Sequence, residues 1–127
     1  MKLRVRDNSI RLRLTQTEVE LARTDGLVRG TVPLAGNSNF EYVLESSPAT
    51  VKPEAHMSNS VLTVRIPETE ILSWSDSDEV SISATQLLDG GNELSILVEK
   101  DFACLAPREG EDESDMYAHP LAEKQNC

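Results

Sequence analysis

The residues best suited to chemistry in this chain are the basic ones near its start. Lys2, Arg4, Arg6, Arg11 and Arg13 stand against a single carboxylate, Asp7, so residues 1–14 carry five cations to one anion, a net +4. A guanidinium presents a rigid fork of donors that grips a carboxylate or phosphate through two bonds at once. If Asp7-Asn8 is the turn of a hairpin, Arg4 faces Arg11 and Lys2 faces Arg13 on one side of the sheet. Like charges directly opposite each other are destabilising, so this face calls for a compensator. Three are available: solvent and salt, the chain's own carboxylates, or an external anion. The ligand-binding residues expected on this basis are Arg4, Arg11 and Arg13, with Arg65, which falls on Arg13 in an internal repeat.

The chain has carboxylates to offer. Its formal charge is −10, so residues 15–127, with 7 basic and 21 acidic side chains, carry −14. Residues 109–115 hold five of the carboxylates (Glu109, Glu111, Asp112, Glu113 and Asp115). Docked on Lys2, Arg4, Arg11 and Arg13, that stretch would cancel the basic face, or occupy it until a ligand or partner displaced it. Strong net acidity argues against non-specific binding to nucleic acid or anionic membrane. No run approaches the roughly 20 apolar residues of a membrane helix, and the alternating start is unlike an export signal. A cytoplasmic setting is therefore expected, with a small anion or a protein as the partner.

The other chemistry-bearing residues are few. Cys104 and Cys127 are the only thiols, and His56 and His119 the only imidazoles. If the end of the chain folds back, Cys104, Asp112, Asp115 and His119 could converge on a divalent metal. No closely spaced cysteine or histidine doublet supports that reading. The acidic run lacks the alternating ligands and central glycine of a calcium loop. Cysteines of a cytoplasmic protein are normally reduced, although Cys127 could pair with Cys104 or with another chain. Catalytic signatures are absent: no nucleophile elbow, no phosphate-cradling glycine loop, no dinucleotide fingerprint.

The elements that must position these residues come in two similar sets. Laying residue n over n + 52 places Ile10–Leu14 on Leu62–Ile66 and Thr17-Glu18-Val19 on Thr69-Glu70-Ile71. Each set reads strand, strand, helix, strand, strand. In the first, Leu3 and Val5, then Ile10, Leu12 and Leu14, alternate with charged residues, the period of a strand with one buried face. Thr15-Gln16-Thr17-Glu18 is a capping box opening a helix whose inner face carries Val19 and Ala22, and Gly26 supplies its left-handed stop. Residues 27–34 and 40–45 read as strands. In the second set, 53–57 and 61–66 read as strands around Ser58-Asn59-Ser60. Pro67 suits the start of a helix over 68–74 with Ile71 and Trp74 inward. Residues 80–84 and 94–99 are strands on either side of the turn Asp89-Gly90-Gly91-Asn92. Leu97 makes the last strand nearly two-sided, hence central.

The architecture so implied is α+β: duplicated β-β-α-β-β units forming a curved antiparallel sheet or open barrel with two short helices. One domain spans 1–105, with repeats at about 1–50 and 53–101, and residues 106–127 form an acidic tail.

From Ile10-Arg11-Leu12-Arg13-Leu14-Thr15, through Leu97-Val98-Glu99-Lys100-Asp101-Phe102-Ala103-Cys104-Leu105, to Glu111-Asp112-Glu113-Ser114-Asp115, the chain resembles a family of small stand-alone bacterial proteins of unknown function. The likeness covers nearly the whole chain, and 97–105 followed by the acidic run is its most specific part. That family has Asn-Pro after an aromatic residue near its end, where this chain has His119-Pro120 after Tyr117. The resemblance implies a bacterial cytoplasmic setting and supplies no mechanism. The sequence thus points to a small binding or interaction protein built around an arginine-lined hairpin. The alternatives are a metal-binding protein using Cys104, tail carboxylates and His119, and a small enzyme acting on an anionic metabolite.

Overall fold

The computed structural model describes residues 1–102 and 115–117. The first half contains β1 (Lys2–Arg6), β2 (Ser9–Leu14), α1 (Gln16–Thr24), β3 (Leu27–Leu34) and β4 (Ser38–Ser47). The second repeats the order with β5 (Glu54–Ser58), β6 (Val61–Pro67), α2 (Glu68–Ser75), β7 (Ser81–Leu87) and β8 (Glu93–Lys100), with a short turn of helix at Asp89–Gly91. Each consecutive strand pair is an antiparallel hairpin. The turns use residues that tolerate positive φ: Asp7 (φ 49°), Asn37 (φ 55°), and the pair Asn59 (φ 51°) and Ser60 (φ 65°).

The α+β class and the repeated element order are as the sequence implies. The sheet arrangement differs from the expected curved antiparallel sheet or open barrel. There are two four-stranded sheets, ordered β1-β2-β8-β7 and β3-β4-β6-β5, and they do not close into a barrel. Each takes one hairpin from each half, and the two hairpins join through a parallel pair, β2 with β8 and β4 with β6. Alternation of apolar residues reads the same in a parallel or an antiparallel neighbour, so it left this join open. The pairing registers of the halves coincide: Lys2↔Arg13 matches Glu54↔Arg65, Arg13↔Glu99 matches Arg65↔Glu45, and Leu27↔Glu45 matches Ser81↔Glu99. Through the first hairpin and into the helix the offset is 52, as the sequence suggests. Beyond the helix it is 54, because α2 reaches β7 through a longer connection than the Asp25-Gly26 stop of α1.

The inner faces of both sheets and both helices share one buried cluster. It includes Leu12 and Leu14 of β2, Val19 and Ala22 of α1, Leu44 of β4, Val64 and Ile66 of β6, Ile71 and Trp74 of α2, and Ile96 and Val98 of β8. Burying an aliphatic or aromatic side chain of this size is worth about 1.5–3 kcal/mol against leaving it in water. The opposite faces of the strands, including all the arginines of β1 and β2, turn outward.

The helices are secured differently. At α1 each early backbone donor has a partner, which a helix start cannot supply from within itself. Thr15 and Glu18 complete the capping box. The Gln16 amide donates to the Asp115 carbonyl at 3.0 Å, and the Thr17 amide and hydroxyl donate to the Asp115 carboxylate at 3.4 and 3.1 Å. Glu18 also meets the Met1 ammonium. At α2, Pro67 provides no side-chain cap. That helix is held by burial, since Ile71 and Trp74 are shut off from solvent and the Trp74 indole donates to the Val80 carbonyl at 3.1 Å.

Candidate anion-binding site

The hairpin β1–β2 has the register its sequence predicts, with Arg4 opposite Arg11 and Lys2 opposite Arg13. Its turn is tied to the start of β8. The Asn8 side chain donates to the Glu93 carbonyl at 3.1 Å, and the Ser95 amide donates to the Asn8 carbonyl at 2.9 Å. This docking brings the outward residues of β8 beside the arginines. A cavity of about 350 Å³ results, walled by Arg4, Arg6, Ser9, Arg11, Ser95 and Leu97, together with Ile10. Three guanidiniums and two hydroxyls therefore border one concavity, and among the described residues no carboxylate lines it.

Among the described residues, compensation of the basic face comes from β8 and from Asp101 just beyond it. Glu99 Oε1 lies 2.8 Å from Arg13 Nε and 3.3 Å from Arg11 Nε, so one carboxylate serves two guanidiniums. Lys2 Nζ lies 3.1 Å from the buried Asp101 carboxylate, an ion pair whose angle falls outside hydrogen-bond geometry. Arg4 and Arg6 have no ion-pair partner among the described residues. Of the expected ligand-binding residues, Arg4 and Arg11 thus share the cavity. Arg13 lies further along the same strand and is engaged by Glu99. Arg65 is not with them. It sits on β6 in the other sheet, between Glu45 (3.2 Å) and Glu54 (3.3 Å).

Of the residues expected to hold a metal, Cys104, Asp112 and His119 lie outside the described residues, as do Cys127 and residues 109–114 of the acidic run. Asp115 is described, and its carboxylate is at the start of α1 on Thr17. Among the described residues no three histidine, cysteine or carboxylate side chains converge as a metal site.

Two residues that matter here were not singled out by sequence reasoning. Glu99 is the acidic partner of the arginine face, and its signal was its phase, alternating outward with Ser95 and Leu97 on the strand read as central. Lys100 was signalled by the opposite phase, falling on the inner side with Ile96 and Val98. It is only 6% exposed. Its ammonium donates to the Ser77 carbonyl at 2.7 Å and lies 5.9 and 5.5 Å from the ring centres of Trp74 and Tyr117. Burial pulls the Lys100 pKa below the ordinary lysine range, with Asp78 and Glu79 opposing. Burial also raises the phenol of Tyr117, reinforced by Asp115 and Glu20, and that of Tyr42, reinforced by Glu18.

The fold and the cavity define a small α+β protein of two mixed sheets that presents an arginine-rich hairpin face. The chain belongs to a family of unknown function (DUF7009), whose profile matches residues 1–121. No curated protein and no solved structure matches it. No helix among the described residues is long and apolar enough to cross a membrane.

Proposed function

We propose that this protein is a binding protein for a small anion bearing phosphate or carboxylate groups, held by Arg4, Arg6 and Arg11 in the cavity at the turn end of the first hairpin. One observation carries the reading: Arg4 and Arg11 face each other at the wall of a cavity that no carboxylate of the described residues lines. Opposed cations are costly to assemble, and an anion between them relieves that cost while taking two forked sets of donors. The Ser95 hydroxyl offers a further bond to its oxygens, while that of Ser9 donates to the Arg6 carbonyl at 2.8 Å. Arg13 belongs to the site as the residue that holds Glu99 aside. A bacterial, cytoplasmic setting fits this reading, since metabolites of that charge are retained inside cells.

Calorimetric titration of the full chain with pyrophosphate and with succinate tests the proposal. Saturable binding is expected, weakening as salt screens the charges. The double substitution Arg4→Gln, Arg11→Gln should abolish it while leaving the fold intact, because both side chains are at the surface. Absence of binding by either probe, or equal binding by the double variant, overturns the reading. Substituting Glu109, Glu111, Asp112 and Glu113 by their amides addresses the tail as a competitor. Tighter pyrophosphate binding means the acidic run occupies the same face, and unchanged affinity means it does not.

A further inference from the structure

We propose that the larger cavity, on the other sheet, is a separate site for a small zwitterion, an α-amino acid with an aliphatic side chain. This cavity has a volume of about 780 Å³ and lies where the end of β4, the loop over residues 48–53 and the edge of β7 meet the β5–β6 hairpin. Its wall includes Arg65 between Glu45 and Glu54. Arg65 uses Nε on one carboxylate and Nη1 on the other. Nη2 of Arg65, Oε1 of Glu45 and Oε2 of Glu54 have no hydrogen-bond partner among the described residues. The cavity therefore offers the free donors of Arg65 flanked on both sides by free acceptors, with the Lys52 ammonium elsewhere in the lining, so its wall carries two cations and two carboxylates.

That alternation selects against simple ions. An anion drawn to Arg65 meets two carboxylates a few ångströms away, and a cation drawn to either carboxylate meets Arg65. At such distances repulsion offsets much of the attraction. A ligand carrying both charges on neighbouring atoms satisfies both, its carboxylate on Arg65 and its ammonium on Glu45 or Glu54. The rest of the lining mixes polar residues (Ser47, Thr50, Thr85 and Gln86) with apolar ones, and Val51 and Leu87, 85% and 78% exposed, give an apolar contact for an aliphatic side chain. The Gln86 carboxamide accepts from the Ala55 amide at 2.8 Å, pinning β7 against β5 so that the rim and the charged wall keep their spacing. At the matching positions of the other sheet, Lys2, Arg13, Glu99 and Asp101 are consumed in ion pairs with one another. The second sheet alone has Glu54 in place of the lysine and Ser47 in place of the aspartate.

Amide chemical shifts of the isotope-labelled full chain, titrated with L-leucine, L-leucinamide and 4-methylpentanoic acid, test this site. Leucine should move the amides of Thr50, Val51 and Leu87 to saturation. The two analogues, each lacking one charge, should bind at least about tenfold more weakly. Val51→Asp, at an exposed loop position, should weaken leucine binding several-fold, and the Arg4→Gln, Arg11→Gln variant should bind leucine as the parent does. Unmoved amides at about 20 mM leucine, an analogue equal to leucine, or an unaffected Val51→Asp variant overturns the proposal.

Discussion

The two sheets share one register and differ in charge. Arg13 beside Glu99 on the parallel join of the first is matched by Arg65 beside Glu45 on the second. Around that shared pair the residues diverge. Lys2 is replaced by Glu54, and Arg4 opposite Arg11 becomes His56 opposite Thr63. The sheet topology therefore forms equally well without the opposed arginines. What both sheets retain is the arginine–glutamate pair across the parallel strands. The arginine excess on β1 and β2 is in that sense additional to the fold, which is why the proposed anion site is placed there.

The helices divide along the same line, and the largest expected effect breaks that division. Trp74 of α2 occupies the position that Ala22 holds on α1, and both lie in the shared core. Trp74→Ala should cost about 3–5 kcal/mol, the usual range for emptying a large buried aromatic site, and urea denaturation measures it directly. Thr15→Ala, which removes the cap that α2 lacks, should cost only about 1 kcal/mol. If the two losses prove equal, α2 is not held by burial in the way the contrast requires.

A smaller effect sharpens the comparison of the sheets. Glu99 serves two guanidiniums at a partly buried site, whereas Glu45 shares its single arginine with Glu54. Glu99→Gln leaves Arg11 and Arg13 short of a counter-charge and should cost about 2 kcal/mol. Glu45→Gln, more exposed and backed by Glu54, should cost under about 1 kcal/mol. The same Glu99→Gln variant should bind pyrophosphate more tightly than the parent, because Arg11 is then released toward the cavity. Equal destabilisation by the two substitutions would remove the distinction between the faces.

Much of this was legible in the sequence because it is local. The register of the first hairpin follows from two turn residues and strict alternation, and the α1 cap from Thr15 and Glu18. The inward faces of α1 and α2 follow from helical spacing at Val19 and Ala22, and at Ile71 and Trp74. What stayed hidden is the crossing of hairpins between halves. Pairing β2 with β8 joins residues more than eighty positions apart, and no local pattern encodes it. Glu99 was missed as the partner of Arg11 and Arg13 for that reason. So was the separation of Arg65 from Arg13, since an internal repeat places equivalent residues on equivalent sheets and not on the same one.

Lys100 marks another departure from the repeat, and its effect on stability is the smallest and most specific. Its counterpart is Ser46, and the backbones match, with Lys100 N–H on the Val80 carbonyl and Ser46 N–H on the Gly26 carbonyl, both at 2.9 Å. Only the lysine introduces a buried cation. Its folded pKa lies below the ordinary lysine value of 10.5, so between the lowered value and 10.5 the unfolded chain binds more protons than the folded one. Stability should therefore rise with pH through that window, by at most about 1.4 kcal/mol per pH unit. The phenols of Tyr42 and Tyr117 act in the other direction. Their folded pKa values lie above 10.0, so their contribution is intact below that pH and is lost as pH climbs through the raised values. Urea midpoints measured across the alkaline range should thus rise and then fall for the parent chain. Lys100→Met should keep the fall and lose the rise, and a rise that survives this substitution assigns the titration to another group.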